Sequence, residues 1–353
     1  MAQKIPSFIS DINNEMIDAA VHALENEKFI LGESVFKFEE EFAKYIGTKN
    51  AISVNSGSSA LHLSLLSVNI SNNSKVITST NSFIASSNTI LSTGAEPILA
   101  DIDESDGNLD MKNNQTNVDA IIPIHIYGNP CDFDSIRRMS EESKIPIIED
   151  ACQAHGAKYF DKKVGSLGDV GCFSFYPTKN MTVGGDGGMI TTNNEEIQNE
   201  VISLRDNGRK SHTTHDKLGF TMRLNTVNAA IGRIQLRHLD ERNSRRQKIA
   251  ELYKKHLSED YFLTENPNGS SVFHQIVFRH KKRNDIMEHL SKNGIGATIH
   301  YPIPIHKQPL YSYLNLTLSI SEEFSNQVLS LPSYPHLSDD DVKIVCETIN
   351  QIL

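Results

Sequence analysis

The chain has 353 residues, 38 % hydrophobic and 22 % charged, with a formal net charge of −10 at pH 7. This composition fits a soluble globular protein of one large domain plus a smaller one, or of two, and the acidic balance argues against a nucleic-acid backbone as partner. The cysteines Cys131, Cys152, Cys172 and Cys346 form no CxxC pair, so no metal site and no disulfide framework is expected, but reduced, mostly buried thiols in a cytoplasmic protein.

In chain order, Met1-Ala2-Gln3-Lys4-Ile5-Pro6 has no apolar core and does not read as a signal peptide. No apolar run is long enough to span a bilayer. Segments 51–55, 75–79, 96–102, 120–126, 146–152, 170–175 and 188–192 read as strands, mostly apolar without strict alternation, as strands covered on both faces are. Helical segments at 58–67, 84–92, 132–143 and 194–205 separate them. Alternation of strand and helix predicts an α/β fold with a mainly parallel sheet. Ligands of such sheets sit beyond the carboxyl ends of the strands, where residues 55–59, Asp150 and Ser174 fall. From Asn228 a long helix is predicted to run to about residue 257, its charged stretch 237–248 forming a solvated face. Beyond Pro267 a smaller unit is expected: a strand at 273–279, a helix at 285–293, a strand at 297–300, a proline-rich irregular segment and a final helix at 339–353.

The most informative stretch is Cys172-Phe173-Ser174-Phe175-Tyr176-Pro177-Thr178-Lys179, with Gly184-Gly185-Asp186-Gly187-Gly188 behind it. A lysine in a tight connection is costly to desolvate. Chemistry can compensate, because a lysine amine forms a Schiff base with a carbonyl. Pyridoxal phosphate (PLP) is held this way, with an acidic partner for its ring nitrogen. Asp150 is the candidate acid, and reads equally as a helix cap. Gln153 could bond the cofactor's phenolic oxygen and His155 could approach the ring or the substrate, though each also fits an ordinary polar residue bonded to backbone. Ser56-Gly57-Ser58-Ser59, at a strand-to-helix turn, suits a phosphate or a plain cap, and Ser174 could add a hydroxyl to the same phosphate. Phe83 could stack on the ring or belong to the core. The glycine run leads into a strand rather than a helix, so it is not a dinucleotide fingerprint.

Together these residues resemble the sugar aminotransferases of the DegT/DnrJ/StrS type, a branch of the fold-type-I PLP enzymes. The likeness begins at Lys28-Phe29-Ile30-Leu31-Gly32 and runs through Ser56-Gly57-Ser58-Ser59-Ala60-Leu61-His62, Pro123-Ile124-His125-Ile126-Tyr127-Gly128 and Glu149-Asp150-Ala151-Cys152-Gln153-Ala154-His155-Gly156-Ala157. It is strongest at Ser174-Phe175-Tyr176-Pro177-Thr178-Lys179-Asn180, and returns at Asn228-Ala229-Ala230-Ile231-Gly232 and His300-Tyr301-Pro302-Ile303-Pro304.

The resemblance implies a large PLP-binding domain, residues 1–240, with a mainly parallel seven-stranded sheet between helices, and a small C-terminal α+β domain, residues 241–353. It implies that Lys179 carries PLP, Asp150 pairs with the ring nitrogen, Gln153 contacts the ring hydroxyl, Phe83 stacks on the ring, and Ser58, Ser59 and Ser174 hold the phosphate. In the family an Asn of the partner subunit completes the phosphate site within a Gly-x-Asn-x-Arg pattern. Here Gly219-Phe220-Thr221-Met222-Arg223 places Thr221 at that position. The implied activity is transfer of an amino group from L-glutamate to the keto-sugar of a nucleotide-sugar, for amino-sugar biosynthesis, in a homodimer with the site at its interface. His155, Arg223, His300, Tyr301 and His306 are the candidates for substrate contact, with Arg209 and Lys217 for anionic groups. A PLP-dependent sugar dehydratase is an alternative, but that branch replaces the lysine with histidine. A non-catalytic PLP-fold sensor is another, but no basic helix-turn-helix segment accompanies the domain.

Overall fold

The structure, a computed structural model, describes residues 4–111 and 117–353. Its strands are β1 (Asn50–Val54), β2 (Lys75–Ser79), β3 (Glu96–Ala100), β4 (Ala120–Ile122), β5 (Ile148–Asp150), β6 (Lys158–Tyr159), β7 (Lys162–Lys163), β8 (Val170–Ser174), β9 (Gly188–Thr192), β10 (Gly269–Ser270), β11 (Ile276–Arg279) and β12 (Val328–Leu331). Its α-helices are α1 (Asn14–Asn26), α2 (Glu33–Ile46), α3 (Gly57–Ser67), α4 (Ala85–Ser92), α5 (Phe133–Ser143), α6 (Glu195–Arg205), α7 (Thr226–Arg237), α8 (Leu239–His256), α9 (Arg283–Lys292), α10 (Ser319–Gln327) and α11 (Asp339–Asn350). The helices begin where the sequence offers caps: Asp132, Asn194 and Asn225 accept from backbone N–H groups in the first turns of α5, α6 and α7.

The α/β expectation holds, with a correction to the sheet. The ladders divide into β1-β9-β8-β5 and β3-β2-β4, and two isolated parallel bridges, Ile121 to Ile147 and Ile124 to Asp150, link the β4 and β5 segments. The pairs β2–β3, β2–β4 and β5–β8 are parallel, whereas β9 is antiparallel to both β1 and β8. The cause lies in the connection from β8 to β9. It contains no crossover helix, and without one a chain returns antiparallel. Gly188 must be glycine at this return, because a Cβ there would lie 2.3 Å from the carbonyl oxygen of Ser56.

Strand alternation explains what β8 does. Phe173 and the following Phe175 face α2, where Phe42 meets their rings edge-on at 5.0 and 5.6 Å, and Phe38 packs on Phe175 at 5.3 Å. Contacts of this kind contribute about 1 kcal/mol each beyond burial. Cys172 and Ser174 face the other way, toward α3, with Cys172 Sγ 3.2 Å from Ser64 Oγ. The aromatic layer thus fixes the strand whose end enters the cavity described below.

The second half departs further from expectation. The single helix predicted from Asn228 is two, α7 and α8, with the chain turning at His238 (φ −99°, ψ 0°). The turn lets Leu236 and Leu239 both be buried. The stretch 237–248 is not a uniformly solvated face: Arg242, Asn243 and Arg246 point inward and are buried. They are tolerated because Arg242 pairs with Asp11 and Arg246 donates to Ser333 O at 2.8 Å. The strand expected at 297–300 is reduced to one bridge, Thr298 to Ser330, since Pro302 follows closely and cannot extend a ladder. Instead β11 pairs antiparallel with β12, and Phe278, Leu329 and Leu331 pack with Ile286, Val345 and Ile349 of α9 and α11 as a separate apolar cluster.

Candidate active site

A cavity of about 600 Å³ opens beyond the carboxyl ends of β5 and β8 and at the N-terminus of α3. Asp150, Cys152, Gln153, Ser174 and Lys179 line it from the sheet side, Ser58 and Gly57 from α3, Phe83 from the β2–α4 connection, Ser86 from the first turn of α4, and His274, His300 and Tyr301 from the C-terminal part.

Asp150 is the last residue of β5 and is 5 % exposed. Its Oδ2 accepts from the Ser86 hydroxyl at 2.8 Å and its Oδ1 from the Cys152 N–H at 3.2 Å. Its neighbour Glu149 points to the opposite face and accepts from the N–H groups of Gly165, Leu167 and Gly168, each at 2.7 Å, and from His125 Nε2 at 3.0 Å. His125 Nδ1 accepts from the Cys131 N–H at 3.2 Å, so the ring proton is on Nε2. Glu149 therefore pins the strand end while Asp150 faces the cavity.

Lys179 closes a four-residue turn: its N–H donates to Tyr176 O at 2.8 Å, with Pro177 at the second position, where its fixed φ suits the turn. Burial pushes the Lys179 amine below the ordinary lysine range, opposed by Cys152 and Asp150. A lysine depressed in this way is a better base and nucleophile near neutral pH. Burial, reinforced by the Asp150 charge, holds the Cys152 thiol well above its ordinary value, so it stays protonated.

The phosphate-sized end of the cavity is built at α3. Ser56 caps the helix by accepting from the Ser59 N–H at 3.0 Å, and the first turn carries no acid. A Cβ on Gly57 would come within 2.6 Å of Ser174 Cβ and 3.0 Å of Cys152 Sγ, so glycine keeps the space between α3 and Ser174 open. The Ser58 side chain is exposed there. Hydroxyls and backbone donors at a helix N-terminus form a donor set suited to a dianion. With Lys179 and Asp150 in the same cavity, these residues fit PLP.

On the far wall, Gln153 Oε1 accepts from the Tyr127 N–H at 2.9 Å and its Nε2 donates to the Tyr301 hydroxyl at 3.1 Å. Phe83 and Tyr301 are tilted ring neighbours at 6.3 Å. His300 Nδ1 lies 2.9 Å from Ser330 Oγ, and burial, aided by the Lys179 charge, brings its pKa to about 4.

The cavity thus gathers Lys179, Asp150, Ser58, Phe83, Gln153, Ser174, His300 and Tyr301 of the residues expected from the sequence. Others lie elsewhere. Ser59 points back to Asn55 Oδ1 at 2.6 Å. His155 is fully buried behind the wall between Phe173 and Phe175, with a pKa of about 3 from burial and the Lys179 charge. His306 is committed to Thr80 Oγ1 and Glu322 at 2.7 and 3.1 Å. Arg223 pairs with Asp206 at 2.6 Å, and Thr221 donates to Asn207 Oδ1 at 3.2 Å; neither lines the cavity of its own chain. Arg209 and Lys217 are tied to Asp206 and Glu200. Ser86 and His274 line the cavity without being expected from the sequence. Ser86 carries only the weak signal of a serine-rich helix start, and His274 carries none.

Residues 10–350 match the DegT/DnrJ/EryC1/StrS aminotransferase family. The chain is 38 % identical over 346 residues, 96 % of this chain and 95 % of the other, to dTDP-3-amino-3,6-dideoxy-alpha-D-galactopyranose transaminase of Aneurinibacillus thermoaerophilus. It superposes with a TM-score of 0.92 on DesV of Streptomyces venezuelae, solved in complex with a ketimine intermediate, at 34 % identity and covering 96 % of this chain and 94 % of that one. NtdA of Bacillus subtilis, solved with the cofactor PMP bound, gives a TM-score of 0.89 at 28 % identity, covering 99 % and 86 %.

Proposed function

We propose that this chain, which belongs to the DegT/DnrJ/EryC1/StrS aminotransferase family, is a PLP-dependent aminotransferase that moves the amino group of L-glutamate to the keto carbon of a nucleotide-linked sugar. The observation that carries the reading is the convergence of Lys179, Asp150, Ser174 and the α3 N-terminus on one cavity. Relatives named as nucleotide-sugar transaminases support the sugar as acceptor.

When bound, PLP supplies a carbonyl that takes up the amine and a ring that accepts electrons. The chain's residues do the rest. Lys179 holds the cofactor between turnovers and, once displaced, carries the proton from the substrate Cα. Its lowered pKa suits it to that exchange. Asp150, fixed by Ser86 and the Cys152 N–H, holds the proton on the ring nitrogen. Ser58, Ser174 and the α3 backbone would hold the phosphate, and Phe83 would offer its ring to the cofactor. Gln153, whose Nε2 donates to the Tyr301 hydroxyl at 3.1 Å, would contact the ring hydroxyl.

The finer organisation follows the same reading. The bridged sheets act as one seven-stranded sheet, residues 1–240 and 241–353 form a larger and a smaller unit, and the protein works as a cytoplasmic homodimer. In that dimer Thr221 supplies a hydroxyl to the partner's phosphate end, which its place away from its own cavity supports. No helix among the described residues is long and apolar enough to cross a membrane. The test is spectroscopic: protein reconstituted with PLP is yellow, L-glutamate bleaches it, and a nucleotide keto-sugar restores the colour. A yellow protein that L-glutamate leaves unchanged would remove the proposed donor.

A further inference from the structure

His274 lies on the cavity wall, 5 % exposed, and no step above uses it. Its protonation follows from its neighbours. The Asn180 side-chain amide donates to Asn243 Oδ1 and to Val272 O, both at 3.0 Å, which uses both its hydrogens. Asn243 is itself oriented by donating from Nδ2 to His155 O at 2.7 Å. Asn180 Oδ1 therefore faces His274 Nδ1 at 3.1 Å, and an amide oxygen only accepts, so Nδ1 carries the proton. Burial, with the Lys179 and Arg246 charges, keeps the ring neutral. Nε2 is then a fixed lone pair. Among the described residues nothing bonds it, and it is not sealed from the cavity that the ring lines.

We propose that His274 Nε2 accepts a hydrogen bond from a hydroxyl of the sugar substrate and is a specificity-determining residue of this site. A fixed lone pair repels carboxylate and phosphate oxygens and selects an oxygen that carries hydrogen. The wall around it has the same character. Gln275, Thr298, His300, Tyr301 and Ser330 are neutral hydrogen-bonding groups, as suits a polyol rather than a diacid donor. The Arg246 cation behind this wall spends one nitrogen on Ser333 O and Oγ, at 2.8 and 3.2 Å. The assignment rests on the aminotransferase reading above and refines its acceptor half.

The test uses the PLP-loaded holoenzyme and follows each half-reaction separately by cofactor absorbance, with L-glutamate and with dTDP-, UDP- and GDP-linked keto-sugars as probes. His274→Phe is expected to raise the half-saturating sugar concentration about tenfold to a hundredfold, as the loss of one buried hydrogen bond does, with a far smaller change toward L-glutamate. His274→Gln, whose amide can donate to Asn180 while its oxygen accepts, restores most of the sugar binding. Nitrogen NMR of the wild-type holoenzyme, which needs no variant to fold, should find the proton of His274 on Nδ1, and an Nε2 resonance that shifts on adding the sugar and not on adding glutamate. An unchanged sugar half-saturation in His274→Phe, an equal loss in the glutamate half-reaction, or a proton on Nε2 overturns the proposal. A wild-type holoenzyme that aminates none of the keto-sugars instead removes the acceptor reading on which it rests.

Discussion

The Ser86 hydroxyl donates to Asp150 Oδ2 at 2.8 Å, tying the first turns of α4 to the last residue of β5. A carboxylate offers only acceptors, so the proton in this bond belongs to Ser86, and with the Cys152 N–H on the other oxygen the carboxylate is held from both sides. Asp150→Asn should retain PLP but slow transamination about a hundredfold or more, because an amide cannot hold the ring nitrogen charged. Ser86→Ala leaves the carboxylate in place and loses one donor, so a drop of about threefold to tenfold is expected. Steady-state rates with the cofactor content measured in parallel check both. Equal effects of the two changes would mean that Ser86 does more than orient Asp150.

Gly57 tests the phosphate end. The Cβ of Gly57→Ala would lie 2.6 Å from Ser174 Cβ, so α3 and β8 must separate or the cradle must fill. The expected result is a PLP dissociation constant raised about tenfold or more, against about twofold to fivefold for Ser58→Ala, which removes a single hydroxyl. Titration of cofactor-free protein with PLP measures it. Wild-type affinity in Gly57→Ala would place the phosphate elsewhere.

The depressed Lys179 amine has a consequence for stability. In the unfolded chain the group titrates near its ordinary 10.5, and in the folded chain at a lower value. Between those values the unfolded state binds more protons, so this group's contribution to stability rises with pH there. Its cost is fully present below the lowered value and fades as pH climbs to 10.5. Cofactor-free Lys179→Met should therefore melt at a higher temperature than wild type at neutral pH, with the gap closing in alkaline buffer. Melting curves that keep a constant separation from pH 7 to pH 10 would assign the difference to packing instead.

Much of this site is legible in the amino-acid sequence. Asp150, Ser174 and the Ser56–Ser59 turn sit at strand ends, and a mainly parallel arrangement brings such ends to one edge. Caps at Asp132 and Asn194 are local, and local hydrogen bonds leave a clear residue signature. The features that leave no such signature depend on distant partners. The burial of Arg242 and Arg246 is set by Asp11 and Ser333, and the commitment of His306 by Thr80 and Glu322. The strand β12 is a short Val-Leu-Ser-Leu stretch whose pairing with β11 no local feature announces. His155 misleads because a histidine beside a site motif suggests chemistry, whereas here two phenylalanines enclose its ring.

The central claim is that Lys179 serves both halves of an amino transfer to a nucleotide-linked sugar. The most direct measurement incubates the PLP-loaded protein with isotopically labelled L-glutamate and a panel of nucleotide keto-sugars, and follows the label by mass spectrometry. Wild type should place the labelled nitrogen on one of the sugars, and Lys179→Ala should transfer none while showing no absorbance of lysine-bound cofactor. Label reaching the sugar at a comparable rate in Lys179→Ala, or a yellow wild-type protein that hands it to no sugar, would contradict the account.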